Sequence, residues 1–510
     1  MTPSNGSSGD AMWIVLPLAS DVALGESDFG KLTLHLSDGV EPEEVAILDC
    51  FDGTLRKAGL LLLHSGEQLQ LMGPSGGVLE EPGGRDVGFV VNLPDSELKA
   101  ALSVVSPLRR LIPIGAAWRQ IRTLTVLDDE GKTRARAQLT VVTTEKGGCV
   151  IARLQGLRGY DKALAQLRKA LMDLGGVSLQ EADLHGILFP GQTVHDPKPQ
   201  VTIGYEEPAI EVATHIMAAY IPVARANEAG VIADLDTEFL HDYRIALRKI
   251  RSVISLFKGV YGPEGARELK HRFSALMAQT GRLRDLDVYL LDRQETSALV
   301  PPSVRRGLDR MFDLFEAERG REHKRLAQYL KTKAYEAEIG ALAKLLAKPR
   351  KLGQGPNAQR PAHDYAADLI WKRYRKICKI ASGIGPDTDD EQVHELRIHC
   401  KKLRYLLEFF GPVFPKKAFK TILKPLKRLQ DNLGYFNDYS VQQDSLRAFL
   451  DDLEGPHQIE IAQSVGALIA VLHGRQLEER SKVMDSFARF DSDETRALFR
   501  RLFRERKDTE

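Results

Sequence analysis

At 510 residues, with 43% hydrophobic and 28% charged residues, the chain is too long for one hydrophobic core and too apolar to be disordered throughout, so two or three domains are expected. Its cysteines, Cys50, Cys149, Cys378 and Cys400, show no CxxC spacing, which excludes a disulfide scaffold and a cysteine zinc site. The net charge of +1 hides a division: residues 1–200 hold 19 basic and 25 acidic residues, residues 201–510 hold 52 and 45.

In chain order, MTPSNGSSGD has neither the basic region nor the apolar stretch of a leader. Short β-rich runs follow (KLTLHL, VAILDCF, GLLLLH, VGFVVNL), broken by Gly, Pro and Asp. IRTLTVL, RARAQLTVVTT and CVIARLQGL, joined by DDEGK and EKGG, read as a meander. YDKALAQLRKALMDLGG reads as a helix with a glycine stop. A Pro- and Gly-rich stretch over 183–205 reads as a linker, and from about residue 206 amphipathic helices replace the strand signals. The longest apolar runs, such as GALIAVL, fall short of the roughly 18 residues a membrane span needs. A cytoplasmic protein is expected.

The helical half contains a duplication. HDYRIALRKIRSVISLF from His241 and HELRIHCKKLRYLLEFF from His394 align without a gap at an offset of 153 residues. At that offset Asp285 stands opposite Asp438, Gly281 opposite Gly434, and Ala213–Tyr220 opposite Ala366–Arg373. The expected fold class is α+β multidomain. An antiparallel β-rich domain (1–182) and the linker (183–205) precede helical copies over 206–345 and 361–510, with a loop at 346–360. The copies are expected to face each other about a pseudo-two-fold axis.

His241, Arg244, Arg248 and Arg251 fall on one stripe of a helix, beside an apolar stripe of Tyr243, Leu247, Ile250, Ile254 and Phe257. His394, Arg397, Lys401 and Arg404 repeat it, and Lys249 and Lys402 also correspond. Like charges stacked at this spacing repel unless an anion sits among them, and arginine's planar fork suits phosphate oxygens. A solvated face is the bland reading, and recurrence at a fixed offset weighs against it. Lys416, Lys417, Lys420, Lys424, Lys427 and Arg428 add a polybasic run, and WKRYRKICK lies just upstream. Few aromatics are placed to stack bases, which argues against nucleic acid. The basic residues alternate with core positions, which argues against a membrane surface. A long unbranched polyanion such as inorganic polyphosphate fits best. Copy one offers less after its first helix: Lys270, His271, Arg272, Arg282 and Arg284.

The duplicated pattern His-x-x-Arg-x-x-x-(Arg/Lys)-Lys-x-Arg, with its downstream Asp-bearing segment, resembles the conserved-histidine α-helical (CHAD) family over roughly residues 206–505. That resemblance implies a two-fold-related helical fold, a basic groove binding inorganic polyphosphate, association with polyphosphate granules, and no catalysis or cofactor. It assigns the groove to the histidine and basic positions already named in the two stripes. For His241 and His394, two roles stay open: charging beside a bound polyanion, or a structural contact to Asp285 and Asp438. His241-Asp242 resembles the HD pair of metal phosphohydrolases, but copy two reads His394-Glu395, and no metal site is expected.

Residues 47–64, ILDCFDGTLRKAGLLLLH, and 118–157 are similar to CYTH triphosphate-tunnel domains. The Glu-x-Glu-x-Lys opening of functional members is missing, since the first strand reads AMWIVLPL, and LLLLHS and CVIARLQGL stand where tunnel arginines and a late acidic strand are expected. A degenerate, non-catalytic tunnel domain is therefore expected, with Arg119, Arg122, Arg134 and Arg136 as either an anion patch or an exposed sheet face. The alternative is a metal-dependent triphosphatase or polyphosphatase acting through this domain.

Overall fold

In this computed structural model the described residues are 12–19, 31–74, 77–84, 87–385 and 388–505. MTPSNGSSGD, Ala11 and the last five residues lie outside them. The chain divides into two units, Met1–Asp196 and Pro197–Glu510.

The first unit is built on a ten-stranded sheet. Its strands are β1 (Met12–Pro17), β2 (Thr33–Leu36), β3 (Glu43–Asp49), β4 (Leu61–Ser65), β5 (Gln68–Gly73), β6 (Gly77–Pro82), β7 (Ile112–Leu127), β8 (Thr133–Thr143), β9 (Gly148–Gly156) and β10 (Val177–Ser178). The order is β10-β1-β9-β8-β7-β3-β4-β5-β6, with β2 also on β7, and neighbours pair antiparallel. The predicted meander is β7-β8-β9. The sheet is open, with β10 and β6 as its ends, and does not close into the expected tunnel barrel.

β1 is apolar at successive positions because both its faces are covered. Ile14 and Leu16 join a core with Leu124, Val126, Leu139 and Val150, against helix α3 (Asp161–Asp173). Trp13 and Val15 join the opposite core with Ile47, Leu63, Val142 and Ile151. A two-sided strand reads as a continuous apolar run. Two shorter helices, α1 (Thr54–Lys57) and α2 (Glu97–Ala101), precede α3. Another, α4 (Leu184–Leu188), starts inside the stretch expected to be linker. Asp183 caps it through Gly186 N–H, and Leu184 and Leu188 are buried in the sheet's core. The unit boundary, after Asp196, falls inside the expected linker, whose first residues form a short capped helix among Pro and Gly.

The second unit is helical among its described residues: α5 (Ala209–Ala233), α6 (Thr237–Leu256), α7 (Pro263–Ala278), α8 (Gly281–Leu291), α9 (Arg293–Ala298), α10 (Arg305–Leu330), α11 (Lys333–Leu346), α12 (Ala362–Ala381), α13 (Asp390–Phe410), α14 (Lys416–Asp451), α15 (Gln458–Ser481), α16 (Val483–Phe490) and α17 (Asp493–Phe503). The starts of α5, α6, α7 and α10 recur 153 residues later as the starts of α12, α13, α14 and α15. The copies differ where α7 and α8 correspond to one continuous helix, α14.

The copies are joined at matching positions. Ala209 N–H donates to the Arg360 carbonyl (2.9 Å), and Ala362 N–H donates to the Glu207 carbonyl (2.9 Å), around a Pro208–Pro361 bridge. Phe257 stacks on Phe410, which is 153 residues later, with centroids 5.0 Å apart. The loop over 346–360 is held too: Gly262 N–H donates to Gly353 and Gly355 N–H to Val260. A shared core forms where α10 meets α15, with Phe312 and Phe315 against Ile461, Val465 and Leu468.

At that meeting Gly307 leaves no room for a side chain: a Cβ there would lie 2.3 Å from the Glu460 carbonyl oxygen, whereas one at Gly320 on the same helix meets nothing within 4 Å. In a helix interior, alanine is preferred to glycine by roughly 1 kcal/mol. Gly320→Ala should therefore raise the melting temperature, while Gly307→Ala should lower stability by about 1–3 kcal/mol through overpacking. Thermal unfolding followed by circular dichroism separates the two.

A basic helix interface as candidate binding site

α6 begins at a good cap, Asp236, whose carboxylate accepts from Glu238 N–H (2.9 Å) and Phe239 N–H (3.2 Å). Tyr243, Leu247, Ile250 and Ile254 are buried, so the adjacent stripe of His241, Arg244, Arg248 and Arg251 is held at the boundary of the core. α13 does the same with Leu396, Cys400, Leu403 and Leu407 buried beside half-buried His394, Arg397, Lys401 and Arg404. α6 and α13 pack on each other, which brings the two stripes together.

The electrostatic signature of that meeting crosses the copies. The Lys401 ammonium is pushed down to about 8, first by burial, then by Arg248 of copy one and Arg397 beside it, with Arg404 adding and Asp438 opposing. Arg397 is lowered by burial and by Arg248, and Arg244 by burial and by Arg248, Arg284 and Arg251. Each such shift says the charged form is underserved by its surroundings. The two aspartates at matching positions are the counterweights: Asp438 lies 3.6 Å from Arg397, and Asp285 faces Arg244. Arg244 also donates to Thr280 Oγ1 (2.5 Å). The sequence alternatives for His241 and His394 both remain, since both rings are half-buried at the starts of their stripes.

Lys249 and Lys402 depart from the expected groove. At about 100° per residue they stand about 140° round from Arg244 and Arg397. Lys249 is ion-paired with Glu408 across the copies and lies over the rings of Tyr405 (4.6 Å) and Phe409 (5.3 Å). Glu408 also accepts from Arg404 Nε (2.6 Å). Lys402 instead faces Arg373 and Lys258, and burial with these two lowers its ammonium. Arg373 donates to His399 Nδ1 (2.7 Å), and burial, Arg373 and Lys402 together push that imidazole down to about 4. Sequence reasoning missed this Arg373–His399–Lys402 group because it joins α12 to a second face of α13.

Lys416, Lys417, Lys420, Lys424, Lys427 and Arg428 are all exposed. On α14 they fall within about 120° of arc, opposite buried Phe419, Ile422, Leu426 and Leu429. Among the described residues none of the six has a carboxylate within 4.0 Å. Gln430, one turn beyond Lys427, donates to the Cys400 carbonyl (2.6 Å) and accepts from Arg404 (3.3 Å), while Asp438 meets Arg397. α14 therefore runs antiparallel beside α13, and its lysine face continues the Arg397–Lys401–Arg404 edge past Arg404. Copy one's counterpart is weaker. Lys270 and His271 are exposed on α7, but Arg272 is held by Glu338 (2.7 and 2.9 Å) and Glu268, Arg282 by Glu318, and Arg284, beside Arg244, lies 4.0 Å from Glu238.

In the first unit the sheet arginines are mostly engaged. Arg119 pairs with Glu43 and donates to Gln70 (2.9 Å), Arg134 pairs with Asp128, and Arg122 donates to the Ser37 carbonyl (3.1 Å). Arg136 is exposed. Among the described residues no group of three or more His, Cys, Asp and Glu stands close enough to hold a metal, and no helix is long and apolar enough to cross a membrane.

Comparison with known proteins places these features. Two Mycobacterium tuberculosis proteins, MT2285 and Rv2226, are each 25% identical over 283 residues, covering 53% of this chain. The match spans about half the length (52%) of those relatives. A crystal structure of the CHAD domain from the plant Ricinus communis superposes with a TM-score of 0.47 at 23% identity, covering 59% of this chain and 95% of that one. PptA from Streptomyces chartreusis gives 0.40 at 16% identity, covering 55% and 99%. The model of the CHAD domain matches residues 215–447, a span that runs from α5 into α14 and includes both basic stripes, so the helical unit of this chain contains a CHAD domain.

Proposed function

We propose that the helical unit binds inorganic polyphosphate, non-catalytically, along the basic edge where α6 meets α13 and on the lysine face of α14, with the two copies related by a pseudo-two-fold axis. The observation that carries this reading is the meeting of Arg248 from one copy with Arg397 and Lys401 from the other, where cations outnumber the facing carboxylates and burial depresses Lys401. A chain of closely spaced negative charges neutralises such an array continuously, and it asks for no base-reading groups. The CHAD resemblance carries the same expectation, including association with polyphosphate granules in the cytoplasm. The first unit takes no catalytic role in this reading, because its arginines are largely satisfied by Glu43, Asp128 and backbone oxygen.

Calorimetric titration of the full chain with long-chain polyphosphate tests the proposal, with single-stranded RNA as competitor. Tight binding that weakens with salt, resists RNA and falls at least tenfold in Arg248→Ala/Arg397→Ala/Lys401→Ala is expected. Lys249→Ala, which removes a cation already paired with Glu408, should change affinity much less. Equal displacement by RNA, or an undiminished affinity in the triple variant, overturns the assignment.

Lys401 also makes binding pH-dependent. In the free protein its ammonium titrates near 8, and a polyanion beside it favours the charged form and raises that value. Above pH 8 the free protein has lost the proton and the complex retains it, so binding takes up protons and affinity falls as pH rises through 8 to 10. Titrations at pH 8.5 in buffers of different ionisation enthalpy measure that uptake, which Lys401→Met should reduce.

A further inference from the structure

The helical unit has a cavity of about 530 Å³ away from the basic stripes, lined by α12 and α17. That volume is within the range of about 300–1,000 Å³ usual for small-molecule sites. α12 contributes Trp371, Tyr374, Arg375 and Cys378, which share a face at i, i+3, i+4 and i+7. α17 contributes Arg496 and Arg500 one turn apart, and Arg504 follows at the helix's C-terminal cap, so three arginines lie along the opposite wall. Asp491 is the one carboxylate of the lining.

That carboxylate is committed. Asp491 is buried and accepts from the Tyr374 hydroxyl, from Cys378 (3.6 Å) and from Arg496 Nε (3.0 Å). Tyr374 is fixed in turn, with its ring stacked on Phe499 at 3.9 Å. Asp491 thus neutralises Arg496 and leaves three guanidinium groups. Among the described residues Arg375, Arg500 and Arg504 have no carboxylate within 4.0 Å. Elsewhere in the same unit Arg272, Arg282, Arg319 and Arg480 each hold one or more carboxylates. The Arg504 guanidinium lies over the Trp371 ring, 5.9 Å from its centroid. A guanidinium held by an aromatic face keeps its N–H edges available to an anion.

We propose that this cleft is a second anion site and takes a di- or triphosphate group, either free or as the tail of a nucleotide. Arg500 stands about 6 Å along the axis from Arg496, at 1.5 Å rise per residue, with Arg504 just past the helix end. With Asp491 already neutralising Arg496, three unpaired guanidinium groups remain, and a linked phosphate group with several charges matches them better than a single phosphate. Arg375 faces it from the other wall, and Trp371 borders whatever the group is attached to. The proposal does not rest on polyphosphate binding at the α6–α13 edge.

Trp371 is the only tryptophan of Pro197–Glu510, so the cleft carries its own reporter. Tryptophan fluorescence of the full chain is titrated with sodium tripolyphosphate, ATP and AMP. A saturable change with tripolyphosphate is expected, absent in Trp371→Phe. The midpoint should move at least tenfold in Arg500→Ala/Arg504→Ala and in Arg375→Ala, and stay unchanged in Arg248→Ala/Lys401→Ala. Tighter binding of ATP than of tripolyphosphate assigns the group to a nucleotide tail, and the reverse assigns it to inorganic phosphate. The proposal is overturned if no saturable change occurs, if AMP binds as tightly as tripolyphosphate, or if the response follows the Arg248/Lys401 variant and not the cleft variants.

Discussion

The helical unit depends on how its copies are tied together at the entrance to their first helices. Glu207–Ala209 and Arg360–Ala362 exchange two backbone hydrogen bonds around a proline pair, so α5 and α12 start from one shared point. A proline has no N–H to give, and the flanking Ala209 and Ala362 supply both donors. From that point the chain in each copy runs through a first helix and turns into the helix that carries the basic stripe. The Phe257–Phe410 stack then fixes the far ends of those two helices against each other. With both ends set, the two helices hold Arg248 close enough to Arg397 and Lys401 to depress both.

Such an arrangement is unfavourable by itself. Its cations are half-buried, and the depressed Lys401 records both burial and the neighbouring guanidinium groups. The apolar stripes beside them, Tyr243 to Ile254 and Leu396 to Phe410, stabilise the interface that forces them together. The copies then diverge in how they treat charge. Copy two fuses α7 and α8 into α14 and leaves six cations exposed on its first turns. Copy one breaks the helix and ties Arg272 and Arg282 to glutamates. Glu408 of copy two even takes up Lys249 of copy one. The result is a lopsided basic edge, a tendency already visible in the lysine counts.

The helical fold was legible because two signals agreed, amphipathic periodicity and a gapless offset of 153 residues, and helix starts follow that offset in four places. The stripe residues were legible for the same reason. Pair choices between helices were not: nothing in the spacing of Lys249 says it meets Glu408, and the Arg373–His399 contact joins α12 to α13 across 26 residues. In the first unit the meander and α3 followed from turn residues and periodicity. The open edge at β6 did not, since closure depends on which strands meet at long range. α4 was hidden because Leu184 and Leu188 sit among breakers, and their burial is a tertiary fact.

The proposed sites rest on the pairing state of their cations more than on charge density. In the sheet unit Arg119 and Arg134 end on carboxylates and both faces of β1 are filled with hydrocarbon, so its positive charge stabilises the fold itself. In the helical unit Arg319 links Asp234 to buried Asp287, and Arg480 holds Asp390, with the same outcome. Among the described residues the six cations of the α14 face and three arginines of the α12–α17 cleft have no such partners, as do scattered exposed cations such as Arg321 and Lys324, while the α6–α13 edge has fewer carboxylates than cations. A surface arginine or lysine alone in water is ordinary. A run of them anchored at a core boundary keeps its neighbours' repulsion when empty, and a bound anion relieves all of it at once. That difference in free energy between the empty and occupied array, more than the number of positive residues, is the physical basis of both proposed sites.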